Sequence, residues 1–92
     1  MIRSFKDRRT ERLFQGERVP EFQEIERQAQ KRLRLLDAAD TLEALRFLPS
    51  NRLEALRGDR RGTFSIRINV RWRVCFAWGE DGAHGVEIVD YH

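Results

Sequence analysis

The sequence predicts an α+β fold, with helices packed on one face of a mostly antiparallel sheet of about four strands. Two observations carry that expectation. Apolar residues recur at helical spacing through the first half, at Phe22, Ile25, Ala29, Leu33 and Leu36. In the last third they alternate with polar ones, at Phe64, Ile66 and Ile68 and again at Trp72, Val74, Phe76 and Trp78, which is the period of a half-buried strand. A chain of 92 residues has room for one domain, 1–92, with a single modest core.

Ile2 to Phe5 alternates and is expected to join the later strands as an edge strand. Asp7 is placed to cap a short helix through Phe14, with Gly16 as its stop. After a loop from Gly16, Pro20 suits the first turn of a second helix, where its missing N–H costs nothing. Glu21, Glu24 and Glu26 fill the start of that helix, and Arg27, Lys31, Arg32 and Arg34 fill its later turns. Both blocks complement the helix macrodipole. The mixed-charge face reads as solvated, with contact to a partner protein as the alternative.

Asp40 is the expected cap of a third helix, Thr41 to Phe47, which turns Leu42 and Leu45 inward before Pro49-Ser50-Asn51 breaks it. Leu53 to Arg57 is ambiguous, and Gly58-Asp59 reads as a turn. The two alternating runs that follow form an antiparallel hairpin with a tight connection near Asn69-Val70. Gly79 to Gly85 reads as a loop and Val86 to Val89 as the last strand. The expected core contains Phe22, Ile25, Leu33, Phe64, Ile66, Trp72, Val74, Phe76 and Ile88.

Charge narrows the function. Charged residues make up 36% of the chain and the net charge is +3, with a pI of about 9.7. The segment from Arg57 to Arg73 carries six arginines (Arg57, Arg60, Arg61, Arg67, Arg71 and Arg73) against one acid, Asp59. Such a field favours polyanions through phosphate contacts and counterion release. If Phe64/Ile66/Ile68 and Trp72/Val74/Phe76 face the helices, strand parity puts Arg67, Arg71 and Arg73 on the opposite, open face. A merely solvated sheet face is the alternative reading.

Other classes are disfavoured. The single Cys75 excludes an intrachain disulfide and a Cys-based zinc site, and reads as a small core or sheet residue. No apolar stretch approaches the roughly 20 residues that span a bilayer, and Met1-Ile2-Arg3-Ser4-Phe5 lacks the apolar region of a secretory signal. A soluble cytoplasmic protein with no membrane association is therefore expected. There is no glycine-rich phosphate loop, metal-ligand spacing or serine nucleophile motif, so no metal and no cofactor are expected. His84 reads as an exposed loop residue, and Trp72 and Trp78 as core.

Asp90-Tyr91-His92 follows the last strand directly, beside the arginine-bearing face. RNA cleavage by the 2′-hydroxyl needs a base, cations to stabilise the charged phosphorane and an acid for the leaving 5′-oxygen. His92 has an imidazole suited to proton transfer near neutrality, and an adjacent terminal carboxylate favours its protonated, acid form. Arg73 is the central cation because it cannot deprotonate, with Arg57 a second at the rim. Arg60, Arg61 and Arg67 are the expected substrate phosphate contacts. Tyr91 can stack on a base or donate to phosphate, and Asp90 can orient a neighbour or act as a weak base.

The stretch Leu56-Arg57-Gly58-Asp59-Arg60-Arg61-Gly62-Thr63-Phe64-Ser65-Ile66-Arg67, the run Arg71-Trp72-Arg73-Val74, the terminal Asp90-Tyr91-His92 and the opening Met1-Ile2-Arg3-Ser4-Phe5 together resemble the HigB branch of the RelE-type toxins over essentially the whole length. The resemblance implies a RelE-like fold and a toxin of a bacterial type II toxin–antitoxin module that cleaves mRNA in the ribosomal A site. It also implies a HigA-like antitoxin with a helix-turn-helix domain, through which the toxin associates indirectly with operator DNA. The family's functional positions fall on Arg73, Asp90, Tyr91 and His92. Its basic residue before the Gly-Asp turn is Arg57, and Glu54 stands where some members carry a His, which makes Glu54 the candidate base. Related ParE-type toxins share the fold yet block DNA gyrase without nuclease activity, so two alternatives stand beside the nuclease: a gyrase inhibitor and a plain RNA-binding module.

Overall fold

A computed structural model describes residues 1–60 and 62–90. Arg61, Tyr91 and His92, three of the expected site residues, lie outside the described residues. Among the described residues the fold is α+β, with three α-helices and a four-stranded antiparallel sheet. The helices are α1 (Arg8–Phe14), α2 (Glu26–Ala38) and α3 (Leu42–Arg46), and the strands are β1 (Glu54–Ala55), β2 (Thr63–Arg67), β3 (Trp72–Gly79) and β4 (Gly82–Asp90). They pair in the order β1-β2-β3-β4.

Helix α1 is capped as its sequence requires, with the Asp7 carboxylate accepting from the Thr10 N–H at 2.7 Å. The segment expected to begin the second helix is instead a 3-10 turn, Pro20–Ile25, which runs into α2. The apolar stripe survives the change of winding: Phe22, Ile25, Ala29, Leu33 and Leu36 are all buried. Fully burying a large side chain of this kind contributes roughly 1.5–3 kcal/mol, so the stripe anchors the helical layer to the sheet. The cap of α3 is Thr41 and not Asp40, because the Thr41 hydroxyl is the group that meets the Ala44 N–H, at 3.1 Å.

The expected edge strand Ile2–Phe5 is reduced to two isolated parallel bridges against β4, at Ala83 and Val86. Gly82 makes this approach possible. At φ +130° a Cβ there would run into the Met1 carbonyl, so only glycine lets the N-terminal segment lie against the sheet. The expected Gly79–Gly85 loop is also much shorter. Strand β3 runs to Gly79 and β4 restarts at Gly82, which places His84 within β4, half-buried. The β2–β3 connection falls at Asn69-Val70 as expected, with the Asn69 side-chain oxygen accepting from the N–H groups of Arg71 and Trp72 at 2.9 and 2.8 Å.

Sheet parity sets the layers. Ile66, Val74, Phe76, Val86 and Ile88 are buried in the core beneath the helices. Trp72 meets Phe22 edge-on at 5.9 Å. Phe64, Trp72 and Trp78 pack against this core while only partly buried. The opposite face carries Glu54, Ser65, Arg67, Arg73, Cys75 and Glu87, by the register Glu54↔Ser65, Ser65↔Cys75, Arg67↔Arg73 and Cys75↔Glu87. The three α-helices pack against the other face, and on this one Ser65, Arg73 and Cys75 are themselves buried. No helix among the described residues is long and apolar enough to cross a membrane.

Candidate active site

Arg73 organises the open face, but not as the exposed cation the strand pattern suggested. It is only 9% exposed. Its side chain leaves β3, crosses β2 and reaches toward β1. Nε donates to the Ser65 hydroxyl at 2.7 Å, and Nη2 donates to the Arg52 carbonyl at 2.6 Å. The burial has a geometric cause: the chain entering β1 passes through Arg52 in the left-handed conformation, φ 44°, ψ 56°, which turns that carbonyl toward the guanidinium. Satisfied on one edge by protein acceptors, Arg73 keeps Nη2 3.9 Å from the Glu54 carboxylate. Glu54 itself is well exposed.

Around this pair, Arg67 lies opposite Arg73 in the β2–β3 ladder, half-buried, and Arg57 is exposed just beyond β1. Further along the same face, Lys6, Arg60, Thr63, Cys75, His84 and Glu87 line a shallow cleft of about 410 Å³. Two of its cations are shared with one acid: Glu87 accepts Lys6 at 3.2 Å and Arg60 at 3.9 Å. Arg60 is therefore partly neutralised, whereas Arg57 makes no ion pair among the described residues. Cys75 forms the floor, and burial pushes its thiol pKa up, against the opposing pull of Arg60. It is a sheet residue, as expected, though one on the open face.

Asp90 and Arg71 depart from the expected arrangement. The ladder pairs Trp72 with Asp90 and Arg73 with Val89, so Asp90 shares the helix-side face with Trp72 while Arg73 points to the other. The two expected catalytic residues are thus on opposite faces of the sheet. Arg71, expected on the open face, turns to the helix side as well. Its Nε donates to both Asp90 oxygens at 2.9 and 3.0 Å, and its Nη2 donates to Asp90 Oδ2 at 2.8 Å. Its guanidinium lies 5.7 Å from the Trp72 ring centroid. The hydrogen bond to Asp90, followed by its charge, holds the Arg71 pKa above its ordinary value.

The structure therefore brings together Arg73, Glu54 and Arg67, with Arg57 near the end of β1, and separates Asp90 from them. Among the described residues no group of three or more His, Cys, Asp or Glu side chains is arranged to hold a metal. Two groups escaped the sequence reading. Ser65 was legible in principle, since its parity matches that of Arg67. The Arg52 carbonyl was not, because a backbone acceptor leaves no residue-type signal.

The chain is similar in sequence to known proteins. A family model described as the RelE-like toxin of type II toxin–antitoxin system HigB matches residues 3–92. The chain is 35% identical over 82 residues to Toxin HigB-1 of Vibrio cholerae serotype O1, covering 85% of this chain and 84% of that protein. It is 33% identical over 95 residues to Endoribonuclease HigB of Proteus vulgaris, covering the whole of both. An α+β domain with an open basic sheet face, matched along nearly its full length, belongs to the HigB family of RelE-like toxins, whose type II systems pair each toxin with an antitoxin.

Proposed function

We propose that this protein is an endoribonuclease that cleaves mRNA in the ribosomal A site and so inhibits translation. The observation that carries this reading is the Arg73–Glu54 juxtaposition on the sheet face opposite the α-helices, a fixed cation 3.9 Å from an exposed carboxylate. The name of the Proteus vulgaris relative supports the same activity.

The chemistry uses the protein's own groups. Glu54 takes the proton of the 2′-hydroxyl, and the resulting oxygen attacks the adjacent phosphorus. Arg73 stabilises the charge that develops on the phosphorane, preorganised by Ser65 and the Arg52 carbonyl. His92 protonates the departing 5′-oxygen, leaving a 2′,3′-cyclic phosphate and a free 5′-hydroxyl. Tyr91 stacks on a base or donates to phosphate. Arg57, Arg60, Arg61 and Arg67 hold the RNA backbone.

A HigA-like antitoxin with a helix-turn-helix domain neutralises the toxin and links it to operator DNA, and the whole module works in the cytoplasm. The decisive experiment follows cleavage of a defined mRNA with and without programmed ribosomes. Cleavage that requires ribosomes supports the proposal. Ribosome-independent cleavage removes the A-site requirement, and no cleavage under either condition favours a gyrase inhibitor or a plain RNA-binding module on the same fold.

A further inference from the structure

We propose that Arg71 and Asp90 form a clamp that positions the end of β4, and that Asp90 serves the reaction through this clamp and not as its base. The inference rests on the nuclease reading above. Three hydrogen bonds of 2.8–3.0 Å join the two side chains, in the two-pronged geometry that fixes orientation as well as distance. The Trp72 ring, 5.7 Å from the guanidinium centre, limits where Arg71 can sit, and Trp72 is itself packed on Phe22. The chain of contact therefore runs from the core, through Trp72 and Arg71, to Asp90. Asp90 pairs with Trp72 and Val89 with Arg73, so the Asp90 carboxylate is directed away from the face that holds Arg73 and Glu54.

Tyr91 and His92 are joined directly to Asp90. Fixing Asp90 fixes the point from which those two residues extend. A small displacement of reacting groups is enough to cost about 10²-fold in rate. The clamp is exposed, with Arg71 and Asp90 side chains 54% and 27% accessible, and exposed ion pairs contribute little to global stability. Variants are accordingly expected to fold.

The test is a double-mutant cycle with Arg71→Ala, Asp90→Ala and the double variant, measured as single-turnover mRNA cleavage over a range of ribosome concentrations. Each single change is expected to lower the saturating rate by about 10²-fold, with the half-saturating ribosome concentration unchanged. The double variant should lose no more than the worse single. Arg71→Lys keeps the charge but not the two-pronged contact, and is expected to fall with Arg71→Ala. Losses that multiply, a fully active Arg71→Ala, or a fully active Arg71→Lys would overturn the clamp. Amide hydrogen exchange gives a readout independent of activity: exchange at the C-terminal end of β4 should quicken in both single variants, and unchanged exchange refutes the proposal. A wild-type protein that does not cleave at all defeats the nuclease reading instead, while the exchange measurement still decides whether the clamp holds the strand.

Discussion

The guanidinium of Arg73 donates to the backbone carbonyl of Arg52 at 2.6 Å, so a residue expected to serve catalysis is also a structural tie between β3 and the chain entering β1. Arg52 adopts a left-handed conformation, φ 44°, that costs a non-glycine residue roughly 1–2 kcal/mol. The bond from a permanent cation offsets part of that cost. The proposed catalytic role of Arg73 and local folding therefore meet at this contact.

Arg73→Ala is therefore expected to lower both rate and stability. It removes the cation proposed to stabilise the phosphorane, and it leaves the Ser65 hydroxyl and the Arg52 carbonyl without their donor, a loss on the order of 1–3 kcal/mol. Ribosome binding should be largely retained. Thermal unfolding and cleavage measured together separate the effects, and a variant with normal stability would show that the Arg52 contact contributes nothing.

His92 is expected to carry the general acid. Removing it, or His92→Ala, should lower single-turnover cleavage by about 10²–10⁴-fold, the range of such groups, with little change in melting temperature. Tyr91→Phe then separates two roles, a large loss pointing to the hydroxyl and a small one to stacking. A protein lacking His92 that binds ribosomes and cuts at the normal rate would sink the mechanism.

The basic face should bind RNA with an affinity that falls steeply as salt rises. Arg57→Ala is expected to weaken binding and reduce the log–log salt slope by about 1. Arg60→Ala should change it less, since Arg60 already faces Glu87 at 3.9 Å. Equal slopes for the two variants would contradict this ranking.

Cys75 is 1% exposed and burial raises its pKa, so thiolate is scarce in the native state at neutral pH. Alkylation should be slow in the folded protein and should accelerate when denaturant exposes the thiol and returns its pKa toward normal. Rapid stoichiometric labelling under native conditions would show the open-face floor to be accessible.

Helix and strand content was legible because both periodicities are local. The stripe from Phe22 to Leu36 kept its buried face even though the first turn wound as a 3-10 segment, since neighbouring residues i+3 and i+4 remain close in either winding. Boundaries were less legible. Asp40 and Thr41 are both good caps, and backbone geometry chose Thr41. Glycines suggested a loop over Gly79–Gly85 where a tight turn lets β4 begin at Gly82.

By itself the sequence determined the α+β class, most of the expected core (Phe64 and Trp72 are only partly buried) and the concentration of arginine near the third quarter of the chain, because alternation and charge are properties of neighbours along a chain. Only the tertiary structure decided which arginines are available to substrate. Arg73 is buried because a distant segment brings the Arg52 carbonyl over it. Arg71 is diverted because β4 returns with Asp90 beside Trp72. A side chain's partner is set by strand register across the sheet, and register joins residues that are far apart in sequence.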